Sequence, residues 1–438
     1  MKTDMSIFYK RRKELLDVIG NSVAILFNSI EVFRNRDSHY KFRSDSYFHY
    51  LAGFPEPGTV ILLLGGKEQK SIIFCQAKDK DKEIWNGHIF GPDQAAKEFL
   101  FDEAYDISQI SDIAPKLIAK FPKIFSIIDN NLCHQNMIHS WIDSNKKLKR
   151  SGYKSPEMII DLARFMDRMR CVKTDSEIKI MQHAADISSK AHIRAMQFTK
   201  PNLFEYQVEA ELLHEFMQNG AVDPAYLSIV ATGSNACTLH YINNDTKMKD
   251  GDLLLIDAGC ELDSYASDIT RTFPVNGKFS PIQKDLYELV LASQKAAILK
   301  VKAGNRFMDP HEAALDVLID GFIQLGLCKG NHDEIKETES YKQFFMHRTS
   351  HWLGMDVHDV GDYVDDEGKP IRLEKNNVLT IEPGCYIQKN ENIPKEFWGI
   401  GIRIEDDVCV SELGCEVLSR LAPKEVKEIE DLVGAFNE

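Results

Sequence analysis

The sequence lacks any long hydrophobic run. Its longest apolar stretches, such as Val60–Leu64 and Leu253–Ile256, are far shorter than the roughly 18 residues that a membrane-spanning helix needs. The N-terminal segment MKTDMSIFYKRRKELLDVIG contains no apolar core of the length found in secretory leaders. The sequence therefore predicts a cytoplasmic protein with no membrane partner.

Paired cysteines and several widespread catalytic motifs are also missing. The chain has nine cysteines, an odd number, and no C-x-x-C, so we expect reduced thiols rather than a disulfide framework. No Walker A, G-x-G-x-x-G, H-E-x-x-H or G-x-S-x-G motif occurs. Their absence removes the simplest interpretations as a nucleotide-dependent enzyme, a zincin or a serine hydrolase.

The chain has fewer basic than acidic residues. The 53 Lys and Arg residues are outnumbered by 67 Asp and Glu residues, which gives a net charge of −14. General binding to nucleic acid requires a basic surface that displaces counterions, and binding to anionic membranes requires one as well. We therefore expect neither as a partner.

The first third of the 438-residue chain has an α/β pattern. Short β-rich runs alternate with segments of helical spacing, which is typical of a separate domain. A helix is expected over Ser108–Phe121, with Pro115 disturbing its middle. The predicted strands are Val23–Phe27, Thr59–Leu64, Ser71–Cys75 and Lys123–Ile128.

A polar segment around residues 146–157 predicts a linker, and residues 158–170 (MIIDLARFMDRMR) predict a connecting helix. Beyond Lys173 helices and strands come in groups, which favours an α+β fold. We therefore predict two domains, residues 1–172 and 173–438. The long helices of the second domain are expected at Thr174–Thr199, Phe204–Asn219, Pro281–Val301 and Pro310–Leu325, and its strands at LSIVAT, DLLLIDAG, ITRTFPV, VLTIEPG and GIRIEDDVCV.

Acidic residues and histidines stand at the ends of these strands. Asp257 closes an apolar run, and Asp268 opens the returning strand after a turn that contains Gly259, so a hairpin is expected to bring the two carboxylates together. Two carboxylates in close contact do not both stay ionised cheaply unless a cation lies between them. In the strand VLTIE, Thr380 and Glu382 share one face.

The segment FMHRTSHWLGMDVHD carries three histidines, and GIRIEDD places Arg403 and Glu405 on one face. Taken singly, each of these residues more often has a structural role. His351 alone would be a core histidine, and residues 405–407 alone would be a solvated strand end. Trp85 would likewise be a residue that packs within its own domain. Together, four carboxylates and one imidazole are too many for a single catalytic zinc and suit two divalent ions about 3.5–4 Å apart.

The order LIDAG, SDITRTFPV, HWLGMDVHD, TIEPG, GIRIEDD closely resembles the proline-specific metallopeptidases of the pita-bread fold (M24B). Among them it is most similar to the Xaa-Pro aminopeptidases, or aminopeptidases P. Two N-terminal stretches, RSDSYFHYLAGFPEPGTVILLL and EIWNGHIFGPDQA, resemble the N-terminal domain of that family. The resemblance implies a pita-bread catalytic domain preceded by a smaller α/β domain.

The resemblance implies a dimetal site, with manganese as the expected metal. By the family pattern Asp257 binds one ion, Asp268 and Glu405 bridge, and His351 and Glu382 complete the second site. A metal-bridged hydroxide would attack the carbonyl of an N-terminal Xaa–Pro bond and release the first amino acid. Glu382 is also the expected proton carrier.

The resemblance gives further side chains roles at the site. His240, His347 and His358 match histidines that hold substrate and stabilise the tetrahedral intermediate. Arg403 would orient a ligand carboxylate or neutralise its charge, and Tyr386 matches a tyrosine with a secondary role. Trp85 matches a residue that reaches the site of another subunit, so a homodimer or homotetramer is expected.

Two features depart from the family pattern. Arg348 stands where relatives usually carry glycine, and residues 365–367 are acidic where relatives often place an arginine, the nearest here being Arg372. The alternative functions are a proline dipeptidase with the same metals and, from another class, a non-catalytic pita-bread binding module. A methionine aminopeptidase fits badly because of the large N-terminal domain.

Overall fold

The computed structural model describes residues 4–152 and 154–435. The chain divides into two compact units, residues 1–167 and 168–438. Each is an independently packed body with its own hydrophobic clusters.

The first unit contains six helices and eight strands among its described residues. The helices are α1 (Ser6–Ile19), α2 (Ser46–Ala52), α3 (Lys80–Asn86), α4 (Gly91–Glu98), α5 (Ile110–Ile118) and α6 (Leu132–Lys147). The strands are β1 (Val23–Phe27), β2 (Phe33–Asn35), β3 (Ser38–His39), β4 (Val60–Leu64), β5 (Lys70–Cys75), β6 (Glu103–Asp106), β7 (Lys123–Ser126) and β8 (Met158–Asp161).

Six of these strands form one mixed sheet in the order β6-β5-β4-β1-β7-β8. The β1–β4 and β4–β5 pairs are antiparallel, whereas β1–β7, β5–β6 and β7–β8 are parallel. Every residue of β4 is buried, as expected for an apolar strand covered on both faces. The four predicted strands all form, with small differences at their ends.

Two local predictions for this unit need correction. Residues 158–161 were expected to be helical but form β8, because they pair in parallel with the open edge of β7; helix α7 (Ala163–Cys171) begins only after them. The helix expected from Ser108 starts at Ile110, after one 3-10 turn, and ends at Ile118. Pro115 lies inside this helix.

In its described part, the second unit contains six further helices: α8 (Asp175–Phe198), α9 (Glu205–Gln218), α10 (Pro281–Ile298), α11 (Asp309–Gln324), α12 (His332–Glu337) and α13 (Val426–Leu432). Its strands are β9 (Asp223–Pro224), β10 (Ile229–Thr232), β11 (Leu253–Asp257), β12 (Cys260–Leu262), β13 (Tyr265–Ala266), β14 (Thr270–Pro274), β15 (Val378–Ile381), β16 (Gly384–Ile387), β17 (Ile400–Arg403), β18 (Asp406–Val410) and β19 (Cys415–Val417).

Two of the long helices begin at capping boxes. Thr174 and Glu177 form a capping box at the start of α8, and Ser280 and Gln283 form one at the start of α10. Buried faces of α8 to α11 pack with the strands in the largest hydrophobic cluster. The four predicted long helices are therefore present within a few residues of their expected ends.

The strands of this unit form two antiparallel three-stranded sheets, β10-β11-β14 and β15-β18-β19, a smaller sheet β13-β12-β9, and the pair β16-β17. The runs VLTIEPG and GIRIEDDVCV were each predicted as one strand. Each instead ends one strand and leads into another in a different sheet: β15 is followed by β16, and β17 by β18. The breaks fall at Glu382–Pro383 and Ile404–Glu405, so the acidic residues stand where the chain changes sheet.

A search of the described residues for membrane spans found no helix that combines the length and the apolar character needed to cross a bilayer.

Candidate metal centre and active site

Asp257 and Asp268 are brought together by the antiparallel pair β11–β14. Asp257, the last residue of β11, lies opposite Thr270 of β14, and Asp268 stands two residues before β14. The connection contains a hairpin of its own, β12–β13, which belongs to another sheet. Gly259 makes this crossing possible, since a Cβ there would lie 1.7 Å from the backbone oxygen of Ser267.

Tyr226 joins the two aspartates, a contact that no sequence signal indicated. Its hydroxyl oxygen lies 2.6 Å from Asp257 Oδ1 and 2.5 Å from Asp268 Oδ1. A hydroxyl carries one proton and ionised carboxylates only accept, so two such contacts place a further proton on one carboxylate. Consistently, burial raises the pKa of Asp257.

His351 and Glu382 meet beside Asp268 because residues 349–351 run along β15. The backbone N–H of Thr380 donates to His351 O at 3.0 Å, and that of Glu382 donates to Thr349 O at 2.8 Å. His351 Nε2 then lies 3.3 Å from Asp268 Oδ2 and 3.6 Å from Glu382 Oε1.

Glu405 completes the group from the chain crossing between β17 and β18. Its backbone N–H donates to Thr270 O at 3.1 Å, and the Thr270 hydroxyl donates to Glu405 Oε2 at 2.5 Å. Ligand atoms of Asp268, His351 and Glu405 all lie within 4.8 Å of one another. The tertiary structure thus brings all five predicted ligand residues into one neighbourhood.

The buried carboxylates strongly perturb one another. Burial, with repulsion from Asp268 and Glu382, raises the pKa of Glu405 well above its ordinary value. Burial also raises the pKa of Glu382 to about 7. Burial opposes charge on His351, but the hydrogen bond to Asp268 and the field of Glu382 raise its pKa to about 9. Protons therefore supply the positive charge that this group of acids requires.

The donor set fits divalent cations. His351 Nδ1 donates to the backbone oxygen of Trp352 at 2.9 Å, an arrangement that fixes the ring and turns Nε2 toward the carboxylates, as is usual for metal-binding histidines. Metal binding displaces protons from its ligands, and this group has protons to release. Four carboxylates and one imidazole match hard or borderline divalent ions.

Arg403 links the metal-ligand candidates to the histidine side of the site. Its Nη2 donates to Asp257 Oδ2 at 2.6 Å, its Nη1 to the hydroxyl of Tyr386 at 2.9 Å, and its Nε to the hydroxyl of Thr270 at 3.1 Å. Tyr386 Oη lies 2.8 Å from His347 Nε2. Arg403 is therefore engaged on all three of its nitrogens.

These residues line a cavity of about 510 Å³. His240, His347 and His358 face it together with the acids. Burial, followed by the charge of Arg403, lowers the pKa of His347 to about 3, and burial also lowers the pKa of His358. The ring of His358 stands edge-on to that of His351, with centroids 4.5 Å apart. Leu239, Arg348, Ser350 and Tyr363 also line the cavity.

The purely structural roles considered for Trp85 and for residues 405–407 are both wrong. Trp85, on α3, is 87% exposed, so it is not a packing residue of its own domain. Residues 405–407 are not a solvated strand end, since all three are buried. Asp406 binds Arg271 Nη2 at 2.7 Å, and Asp407 accepts from the Asp268 backbone N–H at 3.0 Å.

Comparisons with known proteins agree with this geometry. Residues 179–412 match the model of metallopeptidase family M24, and residues 8–125 match the aminopeptidase P N-terminal domain. The Xaa-Pro aminopeptidase of Haemophilus influenzae is 43% identical over 97% of this chain and 96% of its own. The chain belongs to the aminopeptidase P branch of metallopeptidase family M24.

Solved structures show the same relationship. An aminopeptidase PepP from Pseudomonas aeruginosa superposes with a TM-score of 0.98 at 45% identity and covers 100% of this chain and 99% of its own. A variant of Escherichia coli aminopeptidase P in complex with substrate has a TM-score of 0.97 at 37% identity, with both chains fully covered. These matches confirm the predicted fold class and family, and they favour an Xaa-Pro aminopeptidase over a proline dipeptidase.

We predict that Gly259→Ala disrupts the metal centre. The added methyl group meets a backbone oxygen that no rotamer change can move, so the connection between Asp257 and Asp268 must separate. Calorimetric titration of the variant with manganese is expected to show an affinity for manganese at least tenfold lower than that of the wild-type chain. Gly414→Ala is the matched control, because a Cβ at Gly414 meets nothing within 4 Å. Equal manganese affinity in both variants would show that the connection between Asp257 and Asp268 accommodates a methyl group at residue 259.

Proposed function

We propose that this chain hydrolyses the bond between an N-terminal residue and a following proline, and releases the first amino acid. The observation that carries the proposal is the buried group of four carboxylates and one imidazole beside a cavity of about 510 Å³. Relatives named Xaa-Pro aminopeptidase, similar along nearly the whole chain, support the same substrate class.

Five side chains would hold two divalent ions, with manganese as the proposed metal: Asp257, Asp268, His351, Glu382 and Glu405. When bound, such ions lower the pKa of water to near neutrality and polarise a carbonyl oxygen. Oxygen donors predominate and a single imidazole is present, which suits manganese better than the sulfur-preferring metals.

Glu382 is proposed to carry the proton from the attacking water to the departing proline nitrogen. Its carboxylate lies between two histidines, with Oε1 3.6 Å from His351 Nε2 and Oε2 3.7 Å from His347 Nδ1. Burial holds its pKa near 7, where a carboxylate can both accept and return a proton at physiological pH. The Thr380 hydroxyl, 3.3 Å from Oε1, fixes its orientation.

Around this carboxylate, His240, His347 and His358 are proposed to hold the peptide and stabilise the tetrahedral intermediate. Burial lowers the pKa of His347 and His358 and keeps both rings neutral. His347 gives its single N–H to Arg348 O, so it is proposed to contact the peptide through its ring face, whereas His358 is proposed to donate one hydrogen bond without adding a buried charge. Arg403 neutralises and orients Asp257, and Tyr386 positions His347 through its hydroxyl.

Proline specificity follows from the missing amide hydrogen. An Xaa–Pro bond has no N–H, and the ring fixes φ near −65°. A pocket built for ordinary amides would leave an acceptor unpaired and would clash with the ring. We propose that His240, His347 and His358 form the walls of a pocket for the proline ring, and that the free amine lies near Asp257.

The chain is further proposed to act in the cytoplasm as a homodimer or homotetramer, with residues 1–172 as the N-terminal domain and 173–438 as the catalytic domain. Trp85 supports the assembly, because a tryptophan 87% exposed on a helix with no buried residue is typical of a surface that another subunit covers.

We predict that Glu382→Gln lowers kcat by at least about 10²-fold, since the amide keeps the shape of the side chain but neither accepts nor returns the proton. Steady-state kinetics with an Xaa-Pro-Yaa peptide, alongside metal analysis of the purified variant, provides the measurement. Glu391→Gln, on an exposed segment, makes the same chemical change away from the cavity. A decrease smaller than threefold with metal retained would assign the proton transfer to another group.

A peptide panel tests the bond that is cut. Mass spectrometry is expected to show cleavage of Xaa-Pro-Yaa and longer peptides with release of one amino acid, little action on Xaa-Ala-Yaa, and none on N-acetylated peptides. A chelator should abolish turnover and added manganese should restore it. A preference for Xaa-Pro dipeptides would indicate a proline dipeptidase, and equal cleavage of the alanine series would refute proline specificity.

Sedimentation velocity tests the assembly. The full chain is expected to sediment as a dimer or tetramer at micromolar concentration, and Trp85→Ala is expected to shift it toward the monomer. Leu413→Ala, which removes a residue 96% exposed in the second unit, is the control. A wild-type chain that sediments only as a monomer of 49.9 kDa would exclude the oligomer.

A further inference from the structure

The cavity is lined by two arginines whose states differ. Arg403 is buried and uses all three nitrogens on Asp257, Tyr386 and Thr270. Arg348 is exposed, and within residues 4–152 and 154–435 its guanidinium forms no hydrogen bond or ion pair. Of these two arginines, Arg348 is therefore the one whose guanidinium is not held by neighbouring side chains among the described residues.

The acidic loop at residues 365–367 does not neutralise Arg348. Asp365 Oδ1 accepts the backbone N–H groups of Glu367 and Lys369 at 3.0 and 2.9 Å, and Glu367 pairs with Lys369 at 2.6 Å. Asp365 and Glu367 are therefore engaged within their own turn. The charge of Arg348 is the largest cause after burial of the lowered pKa of His311, about 4, a histidine that contacts the Thr349 hydroxyl.

Arg348 follows the last residue of a line of side-chain contacts that begins at Asp257. A line of contacts runs from Asp257 through Arg403 and Tyr386 to His347, and Arg348 is the next residue along the chain. The Nδ1 of His347 donates to Arg348 O at 2.7 Å, which fixes the backbone at this point. With the peptide amine placed near Asp257 as proposed, the residues after proline are expected at the other end of this line, where Arg348 lies.

We propose that Arg348 binds the C-terminal carboxylate of short Xaa-Pro-Yaa peptides and so determines the length of the preferred substrate. The proposal rests on the proposed function. A guanidinium presents paired N–H donors that match a carboxylate in a two-point contact. A volume of about 510 Å³ lies within the range of small-ligand sites, which suits a tripeptide better than a long chain.

The test compares a tripeptide Xaa-Pro-Leu with its C-terminal amide. The wild-type chain is expected to show a kcat/KM at least tenfold higher for the free acid, which corresponds to about 1.4 kcal/mol, because the guanidinium forms charge-assisted hydrogen bonds with the carboxylate but not with the amide. Arg348→Ala is expected to remove this preference by raising KM for the acid while kcat stays constant, as expected for uniform binding.

Binding of the dipeptide Pro-Leu and its amide, measured by calorimetry, gives a readout independent of turnover and is expected to show the same loss of discrimination in Arg348→Ala. Arg348→Lys should restore part of it. Arg372→Ala is the matched control: it removes the same charge, but the Arg372 Nη1 donates to Gly304 O at 2.6 Å, and this arginine is not among the residues that line the cavity.

Two results would overturn the assignment of Arg348 while leaving the proposed function intact: a wild-type chain that cleaves acid and amide equally, or an Arg348→Ala variant that keeps the wild-type ratio. A wild-type chain that cleaves neither peptide in the presence of manganese would overturn the proposed function itself.

Discussion

Mutual repulsion of buried carboxylates is the constraint on which the second unit depends. Asp257, Asp268, Glu382 and the consecutive acids of residues 405–407 are all withdrawn from most contact with solvent, and an unpaired charge in such a place costs several kcal/mol. Each acid therefore needs a counter-charge, a proton or a set of N–H donors. The strands and loops of this unit are arranged so that every one of them has such a partner.

The chain crossing at residues 404–406 separates two kinds of acid. Glu405 faces the Thr270 hydroxyl and the cavity, whereas Asp406 faces Arg271 and Lys424 on the other side. Burial alone would raise the pKa of Asp406, but these two cations outweigh it and lower the pKa below its ordinary value. One acid is thus permanently neutralised within the protein, and its neighbour keeps its oxygens for a ligand.

The site combines buried acids with neutral histidines. The Tyr226 hydroxyl is hydrogen-bonded to the two aspartates, and His351 and Arg403 supply positive charge beside them. Burial, with the charge of Arg403, lowers the pKa of His347, so this ring stays uncharged although its Nδ1 lies 3.7 Å from Glu382 Oε2. A peptide bond placed in this cavity meets ionisable acids and neutral imidazoles together, and Arg348 lines the same cavity.

The sequence alone determined the chemistry of this protein: strand ends that carry Asp257, Asp268, Glu382 and Glu405, and a histidine segment with His351, are local patterns that can be read from residue type and alternation. Only the tertiary structure decided which acid serves which purpose. Nothing local distinguishes Glu405 from Asp406, because their partners Thr270 and Arg271 lie 135 residues away along the chain. The sequence likewise did not predict the contacts of Tyr226 or the change of sheet within VLTIEPG and GIRIEDDVCV. Strand pairing and hydrogen bonds between distant segments depend on the packing of the whole unit and do not alter the local periodicity of the sequence.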